Sequence, residues 1–486
     1  MQLSDDTIVA ISTPAGRGGI GIVRLSGRQA RPIAESLVKL KRPLEAGRAR
    51  FGLVMDVDAS VMLDEAVVTW FQAPRSYTGE DVIEIAAHGA PVLLDAMVRR
   101  CIAAGARLAG PGEFTERAFL AGRIDLTQAE AVDDLIQATT LEQARTAARQ
   151  MGGALSRQVA PIKGRLIDLV AALEAGIDFA EDDLNVLSST QITRPLQEID
   201  STLAAMEAGF AYGRVLREGF RLAIVGRPNA GKSSLFNRMV GRDRAIVTAQ
   251  AGTTRDLVAE RLEFAGIPVE VVDTAGLRDT GAGGGILDQA EAMGVAKSRE
   301  AMAEADVVLL VVAADASLDE EDRAVMRALT GDARMPGAAG LVVAVNKVDL
   351  LRAEQTAGGP VHSLKQERDR WNTELFADLP SGSAVVETSA LEDTGTEELR
   401  AAVLAQLKAI APGADTAPVT NLRQQQAVGG AASAVRAAMA GVENAVPHEM
   451  VLIDLYEALG ALDGLTGTTH TEEILGLIFA RFCIGK

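Results

Sequence analysis

Cysteine is scarce: Cys101 and Cys483 are the only two in 486 residues. Two isolated thiols do not make a disulfide framework, so a reducing compartment is the simpler reading and a cytoplasmic location is expected. Aromatic residues are only 3% of the chain, so its cores must be built mainly from Ala, Val, Leu and Ile, which the 48% hydrophobic content permits. Positive charge is short: 48 Lys and Arg stand against 66 Asp and Glu, a net −18. That balance opposes non-specific adhesion to nucleic acid or anionic membrane, but it allows a local basic patch or a partner that supplies one. The four histidines, His88, His362, His448 and His470, are scattered without metal-ligand spacing, so a zinc site is not supported. The longest apolar run, Val307 to Ala314, is far short of a membrane span and fits a buried strand. Met1 to Asp6 has neither a basic region nor an apolar run, so no secretory leader is expected.

What is present falls into three textures, and the length implies more than one domain. Residues 1–120 mix strands and turns. Ile8–Ile11, Gly21–Leu25, Ala66–Phe71 and Val82–Ile85 read as strands, and Pro91–Ala104 as a helix with proline at its start. Residues 121–217 are rich in Ala, Leu, Gln and Glu with few breakers, and Leu166, Leu169, Val170 and Leu173 recur at helical spacing. Residues 218–411 alternate apolar strands with helical segments, and 412–486 return to Ala-rich helix. The expected fold class is therefore multidomain: an α+β N-terminal domain, a discontinuous all-α helical domain, and an inserted α/β domain, which the motifs described next make a P-loop GTPase (G) domain.

The inserted segment carries the chemistry. Leu222–Val225 reads as a strand, Gly226-Arg227-Pro228-Asn229-Ala230-Gly231-Lys232-Ser233 matches G-x-x-x-x-G-K-[ST], and Ser234–Val240 reads as a helix. Glycines let backbone N–H groups curl around a β-phosphate at a helix N-terminus, Lys232 neutralises β/γ charge, and the Ser233 hydroxyl ligates Mg²⁺. Thr253-Thr254-Arg255-Asp256 supplies Thr254 as a second Mg²⁺ ligand. A strand over Val269–Val272 ends in Asp273-Thr274-Ala275-Gly276, where Asp273 orients Mg²⁺ and the Gly276 amide reaches the γ-phosphate. Leu341–Val345 leads into Asn346-Lys347-Val348-Asp349, whose Asp349 can accept both N1–H and N2–H of guanine. Such polar pairing rejects the wrong base by roughly 10⁴-fold. Ala384–Val386 leads to Ser389-Ala390, whose backbone contacts guanine O6. Each motif alone is weak, but four in order at strand ends disfavour an ATPase.

The activating group is less plain. Ras-like enzymes place a glutamine just after D-x-x-G to orient water. Here Leu277 follows Gly276, and the next glutamine is Gln289. Glu291 is either the group that replaces it or a solvated acidic residue on a helix. No arginine finger is evident, and Asn229 with Thr248-Ala249-Gln250-Ala251-Gly252-Thr253 can cage a monovalent cation in its stead.

Over its full length the chain resembles the MnmE (TrmE) family of bacterial tRNA-modification GTPases. The likeness rests on Thr13 to Gly27, on Pro74-Arg75-Ser76-Tyr77-Thr78-Gly79-Glu80-Asp81, on Gly110-Pro111-Gly112-Glu113-Phe114-Thr115, and on Phe482-Cys483-Ile484-Gly485-Lys486. The resemblance implies an N-terminal tetrahydrofolate-binding and dimerisation domain (1–120), helical-domain parts (121–217 and 412–486) and a G domain (218–411). It implies a homodimer that joins an FAD-dependent partner, MnmG (GidA), as a heterotetramer acting on tRNA. The product would be a 5-carboxymethylaminomethyl or 5-aminomethyl wobble uridine (U34), its carbon drawn from 5-formyl- or methylene-tetrahydrofolate. By position, GTP contacts fall on Asn229, Ala230, Gly231, Lys232, Ser233 and Ser234, on Thr248, Ala249, Gln250, Ala251, Gly252, Thr253 and Thr254, on Asp273, Thr274, Ala275 and Gly276, and on Asn346, Lys347, Asp349, Ser389 and Ala390. K⁺ falls to Asn229, Thr248, Gln250 and Thr253, Mg²⁺ to Ser233 and Thr254, catalysis to Glu291, and folate to Arg24, Glu80, Arg123 and Lys486. Two departures stand out: Arg123 where close relatives can carry lysine, and the Gly281–Gly285 insert, which lengthens the segment before Glu291.

Other patterns are weaker. Gly16-Arg17-Gly18-Gly19-Ile20-Gly21 spells G-x-G-x-x-G, but a strand follows it, which argues against a dinucleotide site. Cys-Ile-Gly-Lys superficially resembles C-a-a-X, but lysine is not a typical prenylation residue. Cys483 is either catalytic or a buried structural thiol. A different function class, a ribosome-assembly or RNA-binding switch GTPase, shares this style of G domain, usually beside a basic RNA-binding module that is not evident here.

Overall fold

Burial alternates along Gly18–Ser26: Gly21, Val23 and Leu25 are buried, while Ile22 and Arg24 between them are partly open. This is the period-two signature of a strand with one face covered. A computed structural model describes residues 6–56, 61–178, 187–227, 229–242, 259–264, 266–273, 305–315, 340–350, 379, 383–410, 419–468, 472–480 and 482–485. The chain divides into two compact units: Met1–Ile136 with Ala148–Gln197 and Gly430–Lys486, and Gln137–Ala147 with Glu198–Gly429.

The first unit opens with β1 (Ile8–Ile11), β2 (Gly18–Ser26), α1 (Ala30–Leu37), β3 (Val38–Leu40), β4 (Ala49–Met55), β5 (Met62–Phe71), β6 (Val82–Gly89), α2 (Pro91–Ala103) and β7 (Arg107–Leu108). The strands make one sheet in the order β3-β4-β5-β6-β2-β1-β7, antiparallel except where β1 meets β7. Proline at the start of α2 supplies a pre-set φ, and Leu94, Met97, Val98 and Cys101 form one buried stripe. That stripe and Ala30, Ile33, Ala34 and Leu37 of α1 cover one sheet face. The other face presents Arg24, registered opposite Glu84 of β6.

Helices α3 (Glu113–Leu120), α4 (Leu126–Gln137), α5 (Leu141–Met151), α6 (Ala154–Asp178), α7 (Ser189–Ala208) and α8 (Phe210–Glu218) follow. Pro161 lies inside α6. Proline in a helix interior costs about 3 kcal/mol. Leu155, Val159, Ile162, Leu166, Leu169, Val170 and Leu173 of the same helix are buried, at roughly 1.5–3 kcal/mol each, and outweigh it.

The second unit holds β8 (Phe220–Val225), α9 (Lys232–Arg242), β9 (Ala259–Phe264), β10 (Ile267–Asp273), β11 (Val307–Ala313), β12 (Gly340–Asn346), β13 (Ala384–Glu387) and α10 (Thr396–Ile410). Its sheet runs β13-β12-β11-β8-β10-β9, parallel except for the β9–β10 hairpin pairing. The unbroken apolar run of β11 is explained by burial on both faces. Val307, Leu309, Val311 and Ala313 join a core with α9 and α10, while Val308, Leu310 and Val312 join a second core. Because β8 lies between β10 and β11, its carboxyl end is the point where the strand order reverses, the usual place for a ligand in an open parallel sheet.

The chain ends with α11 (Leu422–Glu443), α12 (His448–Thr466) and α13 (Glu472–Phe479). Lys163 of α6 pairs with Asp463 of α12, and the Tyr456 hydroxyl donates to Glu174. Phe479 and Phe482 pack with Phe119, Leu126 and Ala129 in a small core of the first unit. No helix among the described residues is long and apolar enough to cross a membrane.

Candidate functional site

Between Val225 and Lys232 the chain turns from β8 into α9 at that switch point. Two glycines make the turn possible. A Cβ on Gly226 (φ +141°) would meet the Val311 carbonyl oxygen at 2.2 Å, and one on Gly231 (φ +94°) would lie 2.1 Å from Asn346 Nδ2. Asn229 holds a left-handed φ of 63°. Lys232, only 8% exposed, donates from Nζ to the carbonyls of Gly226 (2.6 Å) and Arg227 (2.8 Å). Its charge is thereby fixed over the loop at the positive end of α9, where an anion is favoured. Ser233 follows it, exposed in the first turn.

The turn before α9 is joined to the segments after β12 and β13 through one buried amide. Asn346, 1% exposed, donates from Nδ2 to the Ala230 carbonyl (3.1 Å). Its Oδ1 accepts the Ala390 N–H (3.2 Å) and the Thr388 hydroxyl (3.4 Å). Asp349 accepts the Ser389 hydroxyl at Oδ1 (2.6 Å), which fixes the plane of the carboxylate. Lys347, at φ 68°, reaches Asp315 at 3.1 Å. The strand register sets Asp273 beside Ile224, one strand over from the loop entry. The arrangement can hold a polyphosphate at one end and a base carrying adjacent N–H donors at the other.

A second cluster occupies the other face of the first sheet, where Ile8 and Ala10 pack with Ala109 and Phe114. Arg24 donates to Glu84 Oε1 through Nε (3.0 Å) and Nη2 (2.8 Å), and through Nη1 to the Gly485 carbonyl (3.4 Å). Ser26, two residues along the same face, donates to Glu80 Oε2 (2.7 Å). Arg117, 4% exposed, meets Glu80 (3.0 Å), Glu113 (2.9 Å) and Asp6 (2.6 Å). Burial alone would ease its proton off, and those carboxylates hold it on instead. Burial likewise pushes the Glu113 carboxyl up, but Arg107, the Gly110 N–H and Arg117 bring it below its ordinary value. Arg123 is exposed beside a cavity of about 550 Å³ that Phe119, Ile124, Gln128, Thr466 and Thr468 also line. A Cβ on Gly79 would lie 3.7 Å from Arg123 Cγ, so the Glu80 loop abuts Arg123. The sequence reading missed Ser26, Glu84 and Arg117. Glu84 alone left a trace, as a charge inside an apolar strand.

The family model of the MnmE helical domain matches residues 126–483, and that of the GTP-binding protein TrmE N-terminus matches residues 7–123. The tRNA modification GTPase MnmE of Koribacter versatilis is 49% identical over 486 residues, 99% of each chain. The chain belongs to the MnmE family of tRNA modification GTPases. The Roseiflexus sp. member is 40% identical over 100% of both chains, and the Aquifex aeolicus member 39% identical over 99% of this chain and 100% of its own. Among solved structures, a GTP-binding protein from Sulfolobus solfataricus in complex with GDP shares 18% identity over 51% of this chain and 68% of that one, with a TM-score of 0.28. This MnmE-family chain is a GTPase, and with that activity go nucleotide and Mg²⁺ binding.

Several MnmE-family expectations lie outside the described residues: Thr248 to Thr254, Thr274 to Gly276, the Gly281–Gly285 insert, Glu291, Lys486 and the side chain of Asp273. One alternative is corrected. Cys483 is exposed and not a buried thiol, because it stands beyond the end of α13, while Phe482 beside it takes the buried position. Cys101 is the buried one, and burial pushes its thiol up to about 12. A thiol reagent at neutral pH is therefore expected to label Cys483 in the native chain and Cys101 only after unfolding. Equal native labelling of both, read by peptide mass spectrometry, would contradict the burial of Cys101.

Proposed function

We propose that this GTPase drives a conformational step in C5 modification of the wobble uridine (U34) of tRNA. It would work with an FAD-dependent MnmG-type partner to form the carboxymethylaminomethyl or aminomethyl product. The supporting observation is 49% identity, over 99% of both chains, to a protein named tRNA modification GTPase MnmE. The likeness extends through the segments flanking the GTP site, which distinguishes this reading from a bare switch GTPase. The domains are proposed as 1–120, 121–217, 218–411 and 412–486, in a cytoplasmic homodimer that becomes a heterotetramer with the partner. Mass spectrometry of wobble nucleosides in a strain lacking the protein tests this: unmodified U34 is expected, and normal U34 would overturn it.

At the GTP site, Ser233 and Thr254 would hold Mg²⁺, and Asn229, Thr248, Gln250 and Thr253 would hold K⁺. When bound, both ions offset phosphate charge. The exposed Ser233 and the left-handed Asn229 suit these roles. Glu291 would orient water. GTP turnover is expected to be much faster in K⁺ than in Na⁺, and Glu291→Ala to keep GTP binding while losing turnover by roughly 10²- to 10³-fold. Equal rates in the two salts would remove the cation cage, and unchanged turnover would remove Glu291.

Arg24, Glu80, Arg123 and Lys486 would receive a tetrahydrofolate derivative. The fit is partial. Glu80 is already held by Arg117 and Ser26 and Arg24 by Glu84, whereas Arg123 faces an open cavity whose size suits a ligand of this class.

A further inference from the structure

Ser389-Ala390-Leu391 is a short loop, closed by reciprocal bonds between Ser389 and Thr394 and by the Glu392 N–H on the Ser389 hydroxyl (3.1 Å). Those bonds do not use the Ala390 and Leu391 carbonyls. Arg238 takes both. Its Nε donates to Ala390 O at 2.7 Å and its Nη2 to Leu391 O at 2.9 Å. Arg238 stands on α9, six residues beyond Lys232, about 9 Å along the helix. The Ala390 peptide is therefore held at both ends, its N–H by Asn346 and its C=O by Arg238. Two consecutive carbonyls spaced for a fork suit a guanidinium, whose planar donors are pre-set, better than a single ammonium. The helix whose first turn faces the phosphates thus also anchors the loop at the base.

We propose that Arg238 is a positioning residue for guanine recognition, clamping the Ser389–Leu391 loop to the phosphate-binding helix so that the Ala390 N–H, which Asn346 Oδ1 accepts at 3.2 Å, is placed to share its hydrogen with the base O6. This rests on the assignment of Ser389 and Ala390 to the base site. Arg238 is exposed, so its replacement leaves the core of the unit intact.

The test uses the full chain as wild type, Arg238→Ala, Arg238→Lys and Asp349→Ala, with two probes: GDP, and 2-aminopurine riboside diphosphate, which keeps the phosphates and N2–H and lacks O6 and, with it, N1–H; the missing N1–H weakens the analogue equally in wild type and in the Arg238 variants. Arg238→Ala is expected to weaken GDP about tenfold, the worth of one to two net hydrogen bonds, and to leave the O6-free analogue unchanged. Arg238→Lys should recover only part of the loss. Equal weakening of both probes would assign Arg238 a merely structural role and overturn the proposal, and full recovery by lysine would overturn the fork. If Asp349→Ala weakens GDP while Arg238→Ala does not, the clamp alone fails. If Asp349→Ala has no effect on GDP, the base-site assignment itself fails.

Discussion

Asp349→Asn is expected to move base preference from guanine to xanthine and to weaken GTP binding by roughly 10⁴-fold. Guanine presents N1–H and N2–H side by side, and a carboxylate accepts both. An amide keeps one acceptor but turns a donor toward N2–H, leaving two donors facing each other with no water between them. Xanthine carries an oxygen at C2, which an amide N–H can meet. The Ser389 hydroxyl, which donates to Asp349 Oδ1 at 2.6 Å, can donate equally to the oxygen of asparagine, so the side chain should keep its orientation. Competition of GDP and XDP for a fluorescent nucleotide measures the switch. An Asp349→Asn chain that still prefers GDP would show that this carboxylate does not read the base.

Lys232→Ala should abolish useful GTP turnover, with a loss of roughly 10²- to 10³-fold in kcat. The ammonium is fixed by the Gly226 and Arg227 carbonyls over the loop, so in the proposed role it would meet the phosphates without reorganising. Folding should survive. Alanine suits the first turn of α9, and the two lost hydrogen bonds from the charged donor, about 1.5–3 kcal/mol each, are confined to the loop, whose carbonyls water can then take. Circular dichroism and a thermal melt provide the control, and a phosphate-release assay provides the readout. Wild-type turnover in a folded Lys232→Ala chain would contradict the phosphate-loop assignment.

Much of this was legible because it is local. The strand–turn–helix around Gly226 to Ser233 announced itself through spacing, and the run from Val307 to Ala313 through unbroken apolarity, which only burial on both sheet faces allows. The Gly16–Gly21 pattern was rightly set aside, since Gly18–Ser26 is strand and no helix follows the loop. The illegible parts are long-range. Asp6 and Arg117 meet across 111 residues, and Arg238 and Leu391 across 153; no periodicity joins such pairs. Arg238 lies past the end of every phosphate-loop motif, on an exposed helix face where an arginine normally signifies only solubility. Pro161 shows the converse, a local breaker overruled by seven buried apolar side chains. Cys483 was ambiguous because a thiol after an apolar helix fits both burial and exposure, and the packing of Phe482 decided it.

The central claim is that GTP hydrolysis at the Lys232 site serves tRNA modification, and one complementation experiment tests it directly. A strain lacking this protein receives either the wild-type chain or Lys232→Ala at matched levels, and its tRNA nucleosides are resolved by mass spectrometry. The wild type is predicted to restore the C5-modified wobble uridine and Lys232→Ala to leave it unmodified. Equal restoration by both would contradict the account.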